Sequence, residues 1–154
     1  MLATEFMIDQ PHTCLIDEPV GDVFLRMRAQ GLRMLPVLDA GGCVKGVLST
    51  YSVLGHIVPD YILSGDLSAI PYAPDIDMLR THYTDVAGRL VGGVMDEEYL
   101  SVGPGESLLS VAAALVGFGR HEYALVVDKD GLLKGMISAG DILATLRKIT
   151  CDAR

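Results

Sequence analysis

At 154 residues, half of them apolar and 21% charged, the chain can bury a real core as one domain or as two small fused units. A net charge of −8, from 20 acidic and 12 basic residues, argues against nucleic acid as a partner, because such affinity comes largely from neutralising phosphates. Three widely spaced cysteines, Cys14, Cys43 and Cys151, indicate neither a disulfide framework nor a metal knuckle, and no apolar run is long enough to predict membrane insertion.

The opening MLATEFMIDQPHTC lacks the basic start and apolar run of a secretory leader, so a reducing, cytoplasmic location is expected. TCLIDEPVGDV (13–23) begins with a short strand and a Pro-containing acidic turn. GDVFLRMRAQG then sets Val23, Phe24 and Met27 at helical spacing and closes on Gly31. LPVLD reads as a buried strand, AGG as a turn, CVKGVLS as a second strand and TYSVLGHIV as a helix. A Pro- and Gly-punctuated connector, PDYILSGDLSAIPYAPD, leads into DIDMLRTHYTDVAGRL, which predicts a helix with Ile76, Leu79, Tyr83, Val86 and Leu90 on one face.

The same order then returns. SVGPGESLLSV (101–111) lies over TCLIDEPVGDV, and the helix in SLLSVAAALVGFG starts at Ser107. After one extra residue, ALVVDKDGLLKGMISAGDIL (124–143) overlays LPVLDAGGCVKGVLSTYSVL (35–54), matching Asp39 with Asp128, Gly42 with Gly131, Lys45 with Lys134, Gly46 with Gly135 and Ser49 with Ser138. The final helix is expected to close with Arg147 and Lys148, where positive charge suits a helix C-terminus. The chain therefore reads as an α/β protein of two β-α-β-β-α repeats: residues 1–58 and 93–154, joined by a connector with an amphipathic helix at 59–92. Each repeat is too small to bury its apolar face unaided, so a shared core is expected.

Ser138 and Asp141 are the residues of chemical interest. A serine at a strand end with an acid three residues later is close to a capping box and needs no ligand. The same geometry also suits one: free N–H groups at a helix start fit a phosphate, a hydroxyl adds a donor, and a carboxylate can accept from both ribose hydroxyls. No nucleophile–base pair, P-loop, dinucleotide fingerprint or metal cluster stands out, and His12, His56, His82 and His121 are scattered, so neither an enzyme nor a metal site is expected.

The doubled pattern RMLPVLDAGGCVKGVLS and VVDKDGLLKGMIS followed by AGD, with GVMDEEYLSVGPGESL opening the second copy, resembles a pair of cystathionine beta-synthase (CBS) domains, the Bateman module. The resemblance implies two repeats packed about a pseudo-twofold axis, with ligand clefts between them. It also implies a regulatory module that senses AMP, ADP, ATP or S-adenosylmethionine, requires no cofactor, forms a homodimer and signals to an effector protein. Carried onto this chain, it puts Ser138, Ala139, Gly140 and Asp141 at phosphate and ribose, Ser101, Val102, Val126 and Val127 along a base slot, and Arg120 and His121 near phosphate. Core packing is the competing reading for the valines, and solvated loop positions for the basic residues. The first copy departs from the pattern, since Ser52 replaces the aspartate. Its Thr13, Cys14, Val37, Ser49, Ser52 and Arg33 are therefore expected to line a weaker site, with Arg33 the rough counterpart of Arg120 and His121. A ligand-free interaction or dimerisation module is the alternative, supported by that missing aspartate and by the apolar connector YILSGDLSAIPY.

Overall fold

The computed structural model describes residues 1–65 and 75–153. The middle of the connector, residues 66–74, lies outside the described residues, and with it most of the apolar YILSGDLSAIPY stretch. In chain order the described elements are α1 (Ala3–Phe6), β1 (Ile8–Asp9), β2 (Cys14–Leu15), α2 (Val20–Gln30), β3 (Met34–Leu38), β4 (Val44–Ser49), α3 (Thr50–Ile57), α4 (Asp60–Ser64), α5 (Asp75–Gly88), a 3-10 turn (Val91–Gly93), β5 (Leu100–Val102), α6 (Leu108–Phe118), β6 (Tyr123–Val127), β7 (Leu133–Ser138) and α7 (Ala139–Asp152). The β-α-β-β-α order thus occurs twice, as β2-α2-β3-β4-α3 and β5-α6-β6-β7-α7.

Local chemistry explains most of these boundaries. Helix α2 ends at Gly31, whose φ of 66° lets the Leu32 N–H reach back to the Met27 carbonyl at 2.9 Å. Helix α6 starts on Ser107, whose hydroxyl accepts from the Ser110 N–H at 3.1 Å. The turns between paired strands are held by the matched aspartates. Asp39 Oδ1 accepts from the N–H groups of Gly41 and Cys43, both at 2.9 Å, and Asp128 Oδ1 from those of Asp130 at 2.9 Å and Leu132 at 3.0 Å. The backbone bond from Leu132 is the chief reason the Asp128 carboxyl lies below its ordinary pKa. Helix α7 runs past the expected stop, so Arg147 and Lys148 fall before its last turn.

Two compact units result, and neither follows the repeats in simple chain order. One, called here the Ser49 unit, comprises Cys14–Val37 and Lys45–Glu97; the other, the Ser138 unit, comprises Met1–Thr13, Leu38–Val44 and Glu98–Arg154.

The Ser49 unit carries the three-stranded sheet β2-β3-β4. Its core gathers Val20, Val23, Met27, Leu35, Val37, Leu48, Val53 and Ile57 with Val86 of α5 and Val91 and Val94 just beyond it. The expected helix is present as α5, which lies against α2 and α3. The apolar face is narrower than its periodicity suggests: Leu79 packs on the core and Tyr83 meets Phe24 edge-on at 6.4 Å, whereas Ile76 is exposed and Leu90 lies past the helix end.

The Ser138 unit carries the four-stranded sheet β1-β7-β6-β5, in which β5 runs parallel to β6 while β7 is antiparallel to both β6 and β1. Its core joins Val102, Val111, Leu115, Ala124, Val126, Ile137 and Ile142 to Ala3 and Phe6 from the start of the chain.

Each of these two clusters is the core of its own unit. Each repeat closes its core with the segment that leads into the other repeat. In the Ser138 unit, Leu2 bridges Ser107 and Ile8 pairs with Met136; in the Ser49 unit, Leu90 bridges Pro19 and Asp96 bridges Val47. Both arrivals require a glycine on the receiving strand. A Cβ at Gly135 would stand 2.8 Å from the Ile8 carbonyl oxygen, and one at Gly46 would stand 2.7 Å from that of Asp96. The matched Gly46 and Gly135 are therefore docking points for incoming backbone.

Candidate functional site

Strand β7 delivers Ser138 in extended conformation to the start of α7. The Ser138 hydroxyl accepts from the Asp141 N–H at 2.9 Å, and Asp141 Oδ2 accepts from the Ser138 N–H at 2.9 Å. This is a reciprocal capping box, and Ser49 and Ser52 repeat it at the start of α3. There the Ser52 N–H donates to Ser49 Oγ at 2.9 Å, the Ser49 N–H donates to Ser52 Oγ at 3.0 Å, and the Ser52 hydroxyl donates to the Ser49 carbonyl at 2.8 Å. The two caps differ in what is left over. The Ser52 hydroxyl both accepts and donates within its cap, whereas Oδ1 of Asp141 accepts no hydrogen bond among the described residues. Asp141 is half-buried, so that spare acceptor stands at the surface of the helix start.

Register around the two helix starts identifies a neighbour that sequence reasoning missed. The Ala139 N–H donates to the Glu122 carbonyl at 3.0 Å, and the Thr50 N–H donates to the Arg33 carbonyl at 3.0 Å. Glu122, and not Arg120 or His121, is therefore the structural counterpart of Arg33. The signal was available, since the offset relating Ser49 to Ser138 also carries Arg33 onto Glu122. Arg120, His121 and Glu122 line a depression of about 320 Å³ with Ala139 and the end of α6. Within it Arg120 is ion-paired with Glu98 at 3.0 Å, and His121 lies beside the Phe118 ring at 6.0 Å between centroids.

Ser101 is exposed on β5 and Gly140 is exposed in the first turn of α7, with Ala139 half-buried beside it. Val102 and Val126 face each other across β5 and β6 inside the core, so their side chains serve packing; Val127 is half-buried next to a register shift in the β6–β7 pairing. The candidates from the first repeat are divided. Cys14, Arg33, Val37, Ser49 and Ser52 belong to the Ser49 unit, while Thr13 belongs to the Ser138 unit. There Thr13 lines a cavity of about 430 Å³ with Asp9, Gln10, Leu133 and Lys134, and Gln10 holds a left-handed φ of 52°. Val37 and Cys14 are core residues, and the Cys14 thiol, pushed up to about 12 chiefly by burial, is no nucleophile.

Met7 and Ile8 were also missed. They lie over Gly135 and Met136 on the strand that presents Ser138. A weak signal existed in the match of Leu2 and Met7 with Leu90 and Met95 at the repeat offset.

The family model described as CBS domain matches residues 3–59 and again 91–148. The chain belongs to the CBS domain family. The two matches begin with the leading segments that cross between units, so each matched CBS stretch is a stretch of chain and not a compact body. Among solved structures, CBSX2 from Arabidopsis thaliana is 22% identical with a TM-score of 0.75, over 97% of this chain and 96% of that one. CBSX2 in complex with AMP is 22% identical with a TM-score of 0.73, over 97% and 98%. A CBS domain-containing protein from Bacillus anthracis is 19% identical with a TM-score of 0.76, over 96% and 94%. These likenesses establish the fold of the CBS pair. No curated protein matches the sequence. Among the described residues no helix of the pair is long and apolar enough to cross a membrane, and no group of three or more His, Cys, Asp and Glu could hold a metal ion.

Proposed function

We propose that this CBS pair is a cytoplasmic regulatory module that binds an adenosine-containing ligand, AMP, ADP, ATP or S-adenosylmethionine, at the start of α7 and transmits the event to an effector protein. The observation that carries the reading is the spare oxygen of Asp141. The cap consumes one carboxylate oxygen and leaves an ionised acceptor beside a helix N-terminus, the pairing that a ribose diol with its attached substituent needs. The AMP carried by the related CBSX2 supports the ligand class. Regulation then follows if the ligand binds one conformation of the protein better than another and shifts the balance by that difference. The Ser138 hydroxyl and the Gly140 N–H supply the donors, and Ser52 makes the α3 start the weaker position. Titration calorimetry with the four ligands tests this: at least one should bind, and binding should be lost in Asp141→Ala. Heat from none of them would end the proposal.

A second reading, a ligand-free homodimerisation module, draws on exposed apolar side chains of the Ser138 unit. Leu109 and Val116 of α6 are 79% and 84% exposed, and Leu143, Leu146 and Ile149 of α7 add to that surface. Sedimentation of Val116→Glu separates the readings, because dimer loss with ligand binding intact makes the surface independent of the site.

A further inference from the structure

The segments that lead into the two repeats carry a thioether at matched positions. The offset that places Leu2 on Leu90 also places Met7 on Met95. Met7 lies against Gly135 of β7, where an added Cβ would overlap its sulfur, and Met95 lies against Gly46 of β4, where a Cβ would stand 2.9 Å from its sulfur. Each sulfur thus occupies the space that a side chain on the receiving strand would take. Around Gly135 that strand is already paired on both edges, with Asp9 on one side and Val126 on the other. Met7 packs on the core of the Ser138 unit and Met95 on that of the Ser49 unit, yet both residues are only half-buried. Met27, Met34 and Met136, by contrast, are buried.

We propose that Met7 and Met95 are paired oxidation sites for hydroperoxides, and that their sulfoxides release the leading segments from Gly135 and Gly46. In the reaction a sulfur lone pair attacks one peroxide oxygen, an S–O bond forms and the O–O bond breaks. With hydrogen peroxide, the departing hydroxide takes the proton from the transferred oxygen and leaves as water. The thioether loses two electrons and the peroxide gains them, so no further reagent is needed. The product is a polar group on a formerly apolar side chain, at a contact with no room for an added atom. Strand β7 runs on to Ser138 and β4 to Ser49, so the two sulfurs clamp the strands that deliver both helix caps. This chemistry needs no ligand at α7.

Dilute hydrogen peroxide on the full chain, followed by peptide mass spectrometry and amide hydrogen exchange, tests the pair. Met7 and Met95 should become sulfoxides together with exposed Met1 and half-buried Met78, while Met27, Met34 and Met136 remain thioethers. Exchange should then accelerate at least about tenfold over residues 1–9 and 91–97. The Asp96 N–H, which donates to the Val47 carbonyl at 2.8 Å in the docked state, reports the second segment directly. Met7→Leu keeps the volume and removes the sulfur, so peroxide should leave residues 1–9 docked and still free 91–97. Met95→Leu should do the reverse, with Met1 and Met78 oxidised in both variants. Met7 and Met95 surviving as long as Met27, or oxidising with exchange unchanged, would overturn the proposal. So would segments that open equally in the leucine variants. Wild type alone decides the first two outcomes, even where a leucine variant fails to fold.

Discussion

The starts of α3 and α7 perform one structural task with different chemistry. In each, a strand ends on a serine that caps the helix, and the side chain three residues later returns to the serine N–H. Ser52 is sufficient for that return, so folding alone does not require a carboxylate at the equivalent position 141. The comparison isolates what the aspartate adds: charge and a second acceptor beside the helix N-terminus. Repetition thus divides shared residues, explained by the fold, from unshared ones that need another cause.

The largest effect expected from breaking the comparison is on binding. Asp141→Ser turns the second cap into a copy of the first, so it should cost about 3 kcal/mol of ligand affinity, roughly a hundredfold in Kd. Urea unfolding of the same variant should change by less than about 1 kcal/mol, because the cap survives. The reverse change, Ser52→Asp, should create a second binding event in calorimetry. A large stability loss in Asp141→Ser with affinity intact would return the aspartate to a purely structural role.

Removing the shared element should instead act on both units alike. Ser49→Ala and Ser138→Ala should each lower unfolding free energy by about 1 kcal/mol, measured in urea. The loss should be larger for Ser49, which is only 7% exposed and leaves the Ser52 N–H with a poorer replacement in water.

The smallest effect lies one turn before α2 and α6. Glu18 accepts from the Leu15 N–H at 2.8 Å, and its counterpart Glu106 accepts from the Gly103 N–H at 3.1 Å. Glu18 is also paired with Arg26 at 2.9 Å, whereas Glu106 receives the Ser110 hydroxyl at 2.9 Å. The Arg26 hydrogen bond is the main cause that holds the Glu18 carboxyl below its ordinary pKa. A depressed folded-state pKa stabilises the fold above the ordinary carboxylate range, and that contribution is lost as pH falls through the depressed value. Glu18→Gln should therefore cost up to about 1 kcal/mol at pH 7, more than Glu106→Gln, with the difference vanishing in acid. Equal penalties at all pH values would show that the ion pair adds nothing to the turn.

Much of this arrangement was legible because the determining interactions are local. Periodicity gave α2, α5, α6 and the paired strands, and Asp39 and Asp128 marked their turns through bonds to N–H groups only a few residues away. The docking of α1 and β1 was not legible: β1 is two residues long, and its partner Met136 is distant in sequence, so no hydrophobic period records the pairing. Val102 and Val126 were ambiguous for a related reason, since a buried strand does not reveal from composition which face meets a core and which a ligand. Glu122 was passed over because residues were matched by basic charge, whereas backbone register decides which residue faces the helix start.

The exchange of leading segments also has a consequence for covalent continuity. A chain cut between residues 65 and 75 would not yield one unit per fragment. The first fragment would hold Ala3 and Phe6, which the Ser138 core needs, and the second would hold Val86, Val91 and Val94, which the Ser49 core needs. Neither half could complete its own interior, yet the two together would contain every part of both. Scission there should leave a pair of complementing fragments held by non-covalent packing, and either half expressed alone would have to borrow its missing segment from another molecule.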